Sequence, residues 1–426
     1  MSALRDRLIA YVASATLAER QGRVVAYNGL VLECSGPDAR LGELCEVLPG
    51  AGEAAVQAEV VGFREGRVLL MPYGSVQGIS ADSVVRATGR SQSVPVGDGL
   101  LGRVVDGFCR PLDRAGPIRC GGHYPLYRPP INPLDRAEIE QVLETGVRAV
   151  DGLLTMGVGQ RVGVFAGSGV GKSTLLGMFA RHVKADVTVL ALIGERGREV
   201  GDFIRNTLGE EGLKRSVVLV AAADEPPLVR THAAHAAHAV AEYFRDQGCS
   251  VLLILDSMTR FAMAQREIGL AIGEPPTFRG YTPSVFNQLP RLVERCGRFA
   301  SSGAISAIYS VLVEGDDLNE PVTDHMRAIL DGHIVLSRDT ASRGHFPAID
   351  PLVSTSRLMS HLVDKEAGEL ASKTRQVLAT YEASRDLIEL GAYQPGGNPA
   401  LDRVVQLKPL IDAVLRQSPD EAMGLQ

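Results

Sequence analysis

The chain has 426 residues, 45% of them hydrophobic and 22% charged, with a net charge of −6 at neutral pH. That length accommodates two or three domains with ample cores, and the composition excludes a disordered or fibrous protein. The acidic balance argues against a large polyanion as main partner, and 5% aromatic residues without a single Trp offer few platforms for base stacking.

The N-terminal stretch "LRDRLIAYVASATLAERQ" imitates a signal peptide faintly, but Leu4, Leu8, Tyr11, Val12 and Leu17 sit at helical spacing with charges between them. A short amphipathic helix over residues 1–20 is expected. From Gly22 to Val94 short alternating runs such as "GRVVAYNGLVLEC" and "GRVLLMPYG" are separated by turn residues, the signature of a small β-barrel assigned to residues 21–95. The Pro/Gly-rich segment Pro111 to Pro133 reads as an irregular connection. No run approaches the ~18 apolar residues of a membrane span. The cysteines at 34, 45, 109, 120, 249 and 296 show neither a C-x-x-C pair nor zinc spacing, and read as free thiols in a reducing compartment.

Beyond the connection, the apolar runs "RVGVFA", "DVTVLALIG", "SVVLVAAA", "SVLLILD", "AISAIYSVL" and "GHIVLSR" alternate with helical stretches. Near-continuous apolar strands joined by helices imply a mostly parallel sheet covered on both faces, in an α/β domain over residues 96–357. Ligands of such sheets sit outside the carboxyl ends of the strands. The first run leads into "GSGVGKST", in which Gly167, Ser168, Gly169, Val170 and Gly171 precede Lys172, Ser173 and Thr174 at the start of a helical pattern. This is a phosphate-binding loop: glycines curl the backbone so that N–H groups face phosphate oxygens, Lys172 reaches the β- and γ-phosphates, and Ser173 can ligate Mg2+. Ala166 stands where the usual pattern has its first glycine.

"LALIGERGREVGDF" places Glu195 at a strand's end, where a carboxylate can orient an attacking water. Arg198 and Glu199 read as a charged turn capping a helix. "THAAHAAHAV" spaces His232, His235 and His238 three apart, fanning over too wide a face to share a metal, and an exposed alanine-rich helix face is expected. Asp256 closes "SVLLILD" as a Walker-B acid holding Mg2+ through its water shell. After Arg357 the pattern is helical to the end, broken at "GAYQPGGNPALD", which gives a C-terminal helical domain over residues 358–426.

The motifs "FAGSGVGKST", "IGERGREVGDFI", "LLILDSMTRFAMAQREIGLAIGEPP", "RGYTPSVFNQLPRLVERCG", "VLVEGDDLNEPVTDHMRAILDGHIVLSRD" and "HFPAIDPLVSTSR", in that order, resemble the type III secretion ATPase family. That family comprises flagellar export and injectisome ATPases related to the α and β subunits of rotary ATP synthases. The resemblance implies a RecA-like central domain that binds ATP and Mg2+, with Lys172, Ser173 and Thr174 on phosphates and metal. It implies Glu195 as the catalytic carboxylate, Arg196 near the γ-phosphate and Asp256 as the Walker-B acid. Phe346 would stack on adenine, and Arg357 would be an arginine finger entering a neighbouring subunit's site, the alternative being a salt bridge at a domain junction. "EPPTFRGYTPSVFNQLP" resembles the loop that lines a ring's pore and touches a coiled-coil stalk.

The implied function is a cytoplasmic hexameric ATPase at an inner-membrane export gate, delivering or unfolding exported proteins brought with their chaperones. A stator-like regulator would bind its N-terminal helix. The rotary ATP synthase catalytic subunit is the alternative within the fold, opposed by the lack of an acidic lever in "LVDKEAGELASKTRQVLATYEASRDLIELGAY". A hexameric nucleic-acid translocase would need basic, aromatic contact surfaces that "VGFREGRVLLMPYG" does not supply.

Overall fold

The computed structural model describes Arg5 and residues 19–50, 53–300 and 302–422. The amphipathic helix expected over residues 1–20 falls almost wholly outside them. The chain divides into two compact units, one of residues up to Gln92 together with Ile268–Glu274, the other of Ser93–Glu267 and Pro275 onward.

The first unit is a closed barrel of β1 (Gln21–Tyr27), β2 (Leu32–Cys34), β3 (Glu43–Leu48), β4 (Val56–Arg64), β5 (Arg67–Pro72) and β6 (Val84–Ser91). Their order round the wall is β1–β2–β5–β4–β3–β6. Alternation makes the wall: in β3, Cys45 and Val47 point into a core shared with Leu32, Val60, Leu70 and Val85, while Glu46 between them stays at the surface. Closure leaves no unpaired strand edge.

The second unit is built on a sheet that contains β7 (Arg103–Asp106), β8 (Arg161–Ala166), β9 (Val187–Ile193), β10 (Ser216–Ala221), β11 (Ser250–Asp256), β12 (Ala304–Leu312), β13 (Gly332–Leu336) and β14 (Thr355–Ser356). Their order is β14–β13–β8–β12–β11–β9–β10–β7, with every pair parallel except β13 and β14. All seven residues of β9 are buried, as a strand covered on both faces requires. Helices α1 (Lys172–His182), α2 (Pro227–Asp246), α3 (Met258–Ile272) and α4 (Pro321–Ile329) connect the strands. Two strands were not among the expected runs: β7, whose "RVVD" is four residues long, and β14, with two. The segment expected to be an irregular connection contains a short strand, Gly122–Pro125, paired with Ser93–Val96.

The exposed face expected for the histidines of α2 is overturned. His232 and His238 are fully buried and His235 is 8% exposed. Alanines at 233, 234, 236, 237, 239 and 241 give the helix small side chains on every face, so it lies close enough to the sheet to be enclosed. Polar side chains inside must then be partnered. His232 pairs through Nδ1 with the Gly107 carbonyl at 3.0 Å, and His238 pairs with the Ala234 carbonyl at 2.8 Å and the Tyr309 hydroxyl at 3.0 Å. Beside His235, the buried Arg295 donates two hydrogen bonds to Glu242, at 2.8 and 3.0 Å.

The unit ends in a helical hairpin, α5 (Lys365–Glu389) and α6 (Pro399–Leu415), broken at the expected "GAYQPGGNPALD". Both legs are tied to the sheet domain. In α5, Arg375 donates to the Leu153 carbonyl at 2.7 Å and also to that of Pro351. Just past α6, the buried Gln417 donates to the Gly146 carbonyl at 2.7 Å and accepts from the Arg148 N–H at 2.9 Å.

Burial pushes His232 down to about 4 and His238 down to about 3, so both imidazoles are neutral in the folded protein. The unfolded chain takes up protons at these positions below pH ~6.5, where the folded protein does not, so stability must fall as pH drops from that value towards 4. Denaturant midpoints measured between pH 7 and pH 5 should decline. His238→Gln should flatten the decline by about 1 kcal/mol per pH unit. An unchanged slope in the variant would mean that His238 is not held neutral.

Candidate active site

The strand β8 delivers the chain at Ala166 into a tight loop that opens α1. Gly169 and Gly171 take φ of 79° and 92°, the left-handed region where a side chain would strain the backbone. Val170 is buried beneath the loop, Ser168 and Gly169 face outward, and Ser173 and Thr174 are exposed on the first turn of α1. No side chain caps that turn, so its backbone N–H groups and the positive end of the helix are available to an anion. Gly167 packs under the Asp316–Arg338 ion pair.

The two expected carboxylates meet at the end of this loop. Lys172 Nζ pairs with Asp256 Oδ1 and lies 3.7 Å from Glu195 Oε1. All three side chains are largely buried, at 12% exposed for Lys172, 16% for Glu195 and 4% for Asp256. The sheet accounts for the meeting, because Leu192 registers with Asp256 across β9 and β11, and Glu195 follows β9 by two residues. Burial, and next the neighbouring Asp256 carboxylate, hold the carboxyl of Glu195 well above the usual carboxylate range, against the lowering influence of Lys172. A base raised towards neutrality is matched to proton transfer at physiological pH. Ser173, Glu195, Arg198 and Asp256 line one cavity of 290 Å³. A larger cavity of 550 Å³ on the Gly167 side is lined by Phe165, Val335 and Arg338, without these reactive groups.

The remaining expected residues are distributed differently. The Phe346 ring stands against the phosphate loop at Gly171 and is 46% exposed. Arg196 precedes a short helix, Gly197–Asp202, and its side chain is 81% exposed and turned to Glu199 at 3.5 Å. Arg357 is not brought to the loop of its own chain. Its N–H bonds the Asp331 carbonyl and its guanidinium the Arg327 carbonyl at the end of α4, both at 3.0–3.1 Å. Ser356 registers with Gly332 at the start of β13, whereas Ala166 registers with Leu336 at its end. Arg357 therefore lies roughly 16 Å back along the strands from the level of the loop.

Two groups at the site were not given roles by the sequence reading. Ser310, buried in β12, donates to Asp256 Oδ1 at 2.5 Å. Arg260, one turn after Asp256, packs against Gly194 beside Glu195, and its Nε makes no hydrogen bond among the described residues. The strand-end rule pointed to the region of Ser310, but a serine in an apolar run carries no periodic signal of its own.

Family models match three stretches: "ATP synthase alpha/beta family, beta-barrel domain" over residues 24–89, its "nucleotide-binding domain" over residues 146–356, and "T3SS EscN ATPase C-terminal domain" over residues 363–426. The chain is 51% identical to the flagellum-specific ATP synthase of Bacillus subtilis, covering 96% of this chain and 93% of that one. It is 47% identical to the type 3 secretion system ATPase of Xanthomonas euvesicatoria, covering 96% and 92%. The assembled ATPase EscN of enteropathogenic E. coli matches with a TM-score of 0.89 at 43% identity, over 95% of this chain and 97% of that one. With the phosphate loop, its paired carboxylates and the three-part architecture all in place, the chain belongs to the type III secretion ATPase family, the ATP-hydrolysing motors of flagellar and injectisome protein export.

Proposed function

We propose that this ATPase works as a homohexameric ring whose active sites are each completed by the next subunit, and that ring turnover drives delivery or unfolding of exported proteins. The observation that carries the reading is the position of Arg357, just past the sheet's edge strand and far from the phosphate loop of its own chain. An arginine there is useless for catalysis within one subunit and is free to serve another. The EscN relative was solved as an assembled ATPase, and also in complex with its central stalk EscO at a TM-score of 0.87 and 42% identity.

In the proposed site, the N–H groups of Gly167–Gly171 and the start of α1 hold the phosphates, with Lys172 bridging to the β- and γ-oxygens. Ser173 and Asp256 fit a hard cation, since they supply a hydroxyl and a buried carboxylate that line one cavity beside the loop. Bound Mg2+ would neutralise charge on the transferring phosphate. Glu195 accepts a hydrogen bond from the attacking water and aims it at the γ-phosphate, and its raised proton affinity suits it to take up a proton as the bond to phosphorus forms. Arg357 of one subunit stabilises the charge that develops in its neighbour. Arg196, solvent-facing here, has to swing from Glu199 to approach the γ-phosphate. Phe346 stacks on adenine beside Gly171.

The same reading assigns the loop around the 70%-exposed Phe278 to the ring's pore, against a coiled-coil stalk. It gives the N-terminal residues to a stator-like regulator, and the assembly to the cytoplasmic side of an export gate that receives chaperone–substrate complexes. No described helix is long and apolar enough to cross a membrane.

Glu195→Gln should bind nucleotide normally and lose at least about 100-fold in turnover. Turnover within about threefold of the parent at unchanged affinity would move the base elsewhere. Phe346→Ala should weaken nucleotide affinity by about 1–2 kcal/mol while leaving turnover at saturating ATP nearly intact; a large fall at saturation would contradict stacking. For the ring, inactive Lys172→Ala and Arg357→Ala chains should recover part of the activity when mixed, because some interfaces then pair an intact loop with an intact finger. If mixed rings of verified mass stay silent, Arg357 acts within its own subunit.

A further inference from the structure

We propose that Ser310 is a positioning residue for the hydrolytic site, its hydroxyl fixing the Asp256 carboxylate in the orientation that presents the second oxygen to a divalent cation. The inference rests on the reading of Asp256 as a cation-binding acid.

The strand β12 lies between β8, which carries the phosphate loop, and β11, which ends in Asp256. Its sequence "AISAIYSVL" is apolar except for Ser306, Tyr309 and Ser310, and its first eight residues are buried. Ser306 has a local structural task at the far end, where its hydroxyl accepts from the Gly159 N–H at 2.8 Å. Ser310 has no such task. The one hydrogen bond of its hydroxyl among the described residues is the one it donates to Asp256 Oδ1. The contact follows from backbone geometry, since Leu255 registers with Tyr309 and the next pair of neighbours is Asp256 and Ser310.

Two donors converge on Oδ1, the Ser310 hydroxyl and the Lys172 ammonium, and among the described residues none is directed to Oδ2. The two differ in permanence. Lys172 sits on a flexible stem and is shared with Glu195, so any phosphate it reaches competes for it. Ser310 is fully buried on a central strand and has no other partner. It therefore remains as the donor that keeps Oδ1 engaged. The backbone beyond is also held, because Thr259, in the first turn of α3, accepts the Leu312 N–H at 2.8 Å and ties the end of β12 to the helix that follows Asp256. Removing the Ser310 hydroxyl leaves a carboxylate free to turn about its side-chain bonds, with its cation-facing oxygen no longer fixed.

The test uses full-length protein with a fluorescent ADP analogue, titrated with Mg2+ and in EDTA, alongside turnover at saturating ATP and thermal melting. Ser310→Ala should raise the Mg2+ concentration for half-maximal tightening of nucleotide binding, and lower turnover, each by about 10-fold. Binding in EDTA should be unchanged. Thr and Val have the same shape and differ by the hydroxyl, so Ser310→Thr should recover both parameters and Ser310→Val should not. If Ser310→Ala stays within about twofold of the parent, or if the Thr and Val variants behave alike, the hydroxyl does not position Asp256. Asp256→Asn in the same titration separates the two readings. If it keeps a normal Mg2+ response, the cation role of Asp256 and the role of Ser310 fall together, whereas loss in Asp256→Asn with a normal Ser310→Ala overturns Ser310 alone.

Discussion

A parallel sheet buried on both faces has to end its strands along one edge, and in this protein that edge is where Lys172, Glu195 and Asp256 meet. Ala166, Leu312 and Leu336 share one level across β8, β12 and β13, and Leu192 shares another with Asp256 across β9 and β11. The carboxylates of Glu195 and Asp256 are thereby brought together in a poorly solvated space, with Lys172 shared between them. Burial, and after it the neighbouring Asp256 carboxylate, outweigh the pull of Lys172, so the carboxyl of Glu195 holds its proton more tightly than an ordinary glutamate. That proton affinity is a by-product of strand register.

The edge keeps its geometry because the sheet behind it is rigidly backed. The alanines of α2 bring it close to the strands, and polar groups in that layer are paired with one another: His238 with Tyr309, Tyr309 with Cys296, and Arg295 with Glu242. A buried ion pair of this kind adds little net stability, but losing one partner strands the other in a medium that cannot solvate it. The layer therefore tolerates few alternative packings.

Legibility from sequence followed the range of the signal. The Gly167–Gly171 loop and the placement of Glu195 and Asp256 at or just past the ends of their strands could be read because each depends on a local succession of strand, turn and helix. The barrel could be read from alternation, and the central strands from unbroken apolar runs. The enclosure of His232, His235 and His238 could not, since alanine is equally at home outside a protein and pressed against a sheet; only the tertiary layer decides. The strands β7 and β14 were too short to show a period, and Ser310 acquires meaning only from the neighbour that register gives it. Arg357 could be named by likeness to a family motif, but its distance from its own loop follows from the antiparallel pairing of β14 on β13, which no local pattern announces.

The ties at Arg375 and Gln417 give the helical hairpin a mechanical character. Both legs are clamped to the sheet domain near the base, through hydrogen bonds to the carbonyls of Leu153 and Gly146. Past Arg375, α5 is tied again at Arg385, whose guanidinium pairs with Asp339 at 3.1 Å, so the helix is held to the sheet domain nearly to its end at Glu389. The hairpin's base is thus joined to the entry to the nucleotide domain and, through the Gln417 N–H on the Phe346 carbonyl, to the aromatic beside the phosphate loop. A shift of the Phe346 backbone and a shift of the hairpin's base are therefore coupled through that one backbone hydrogen bond.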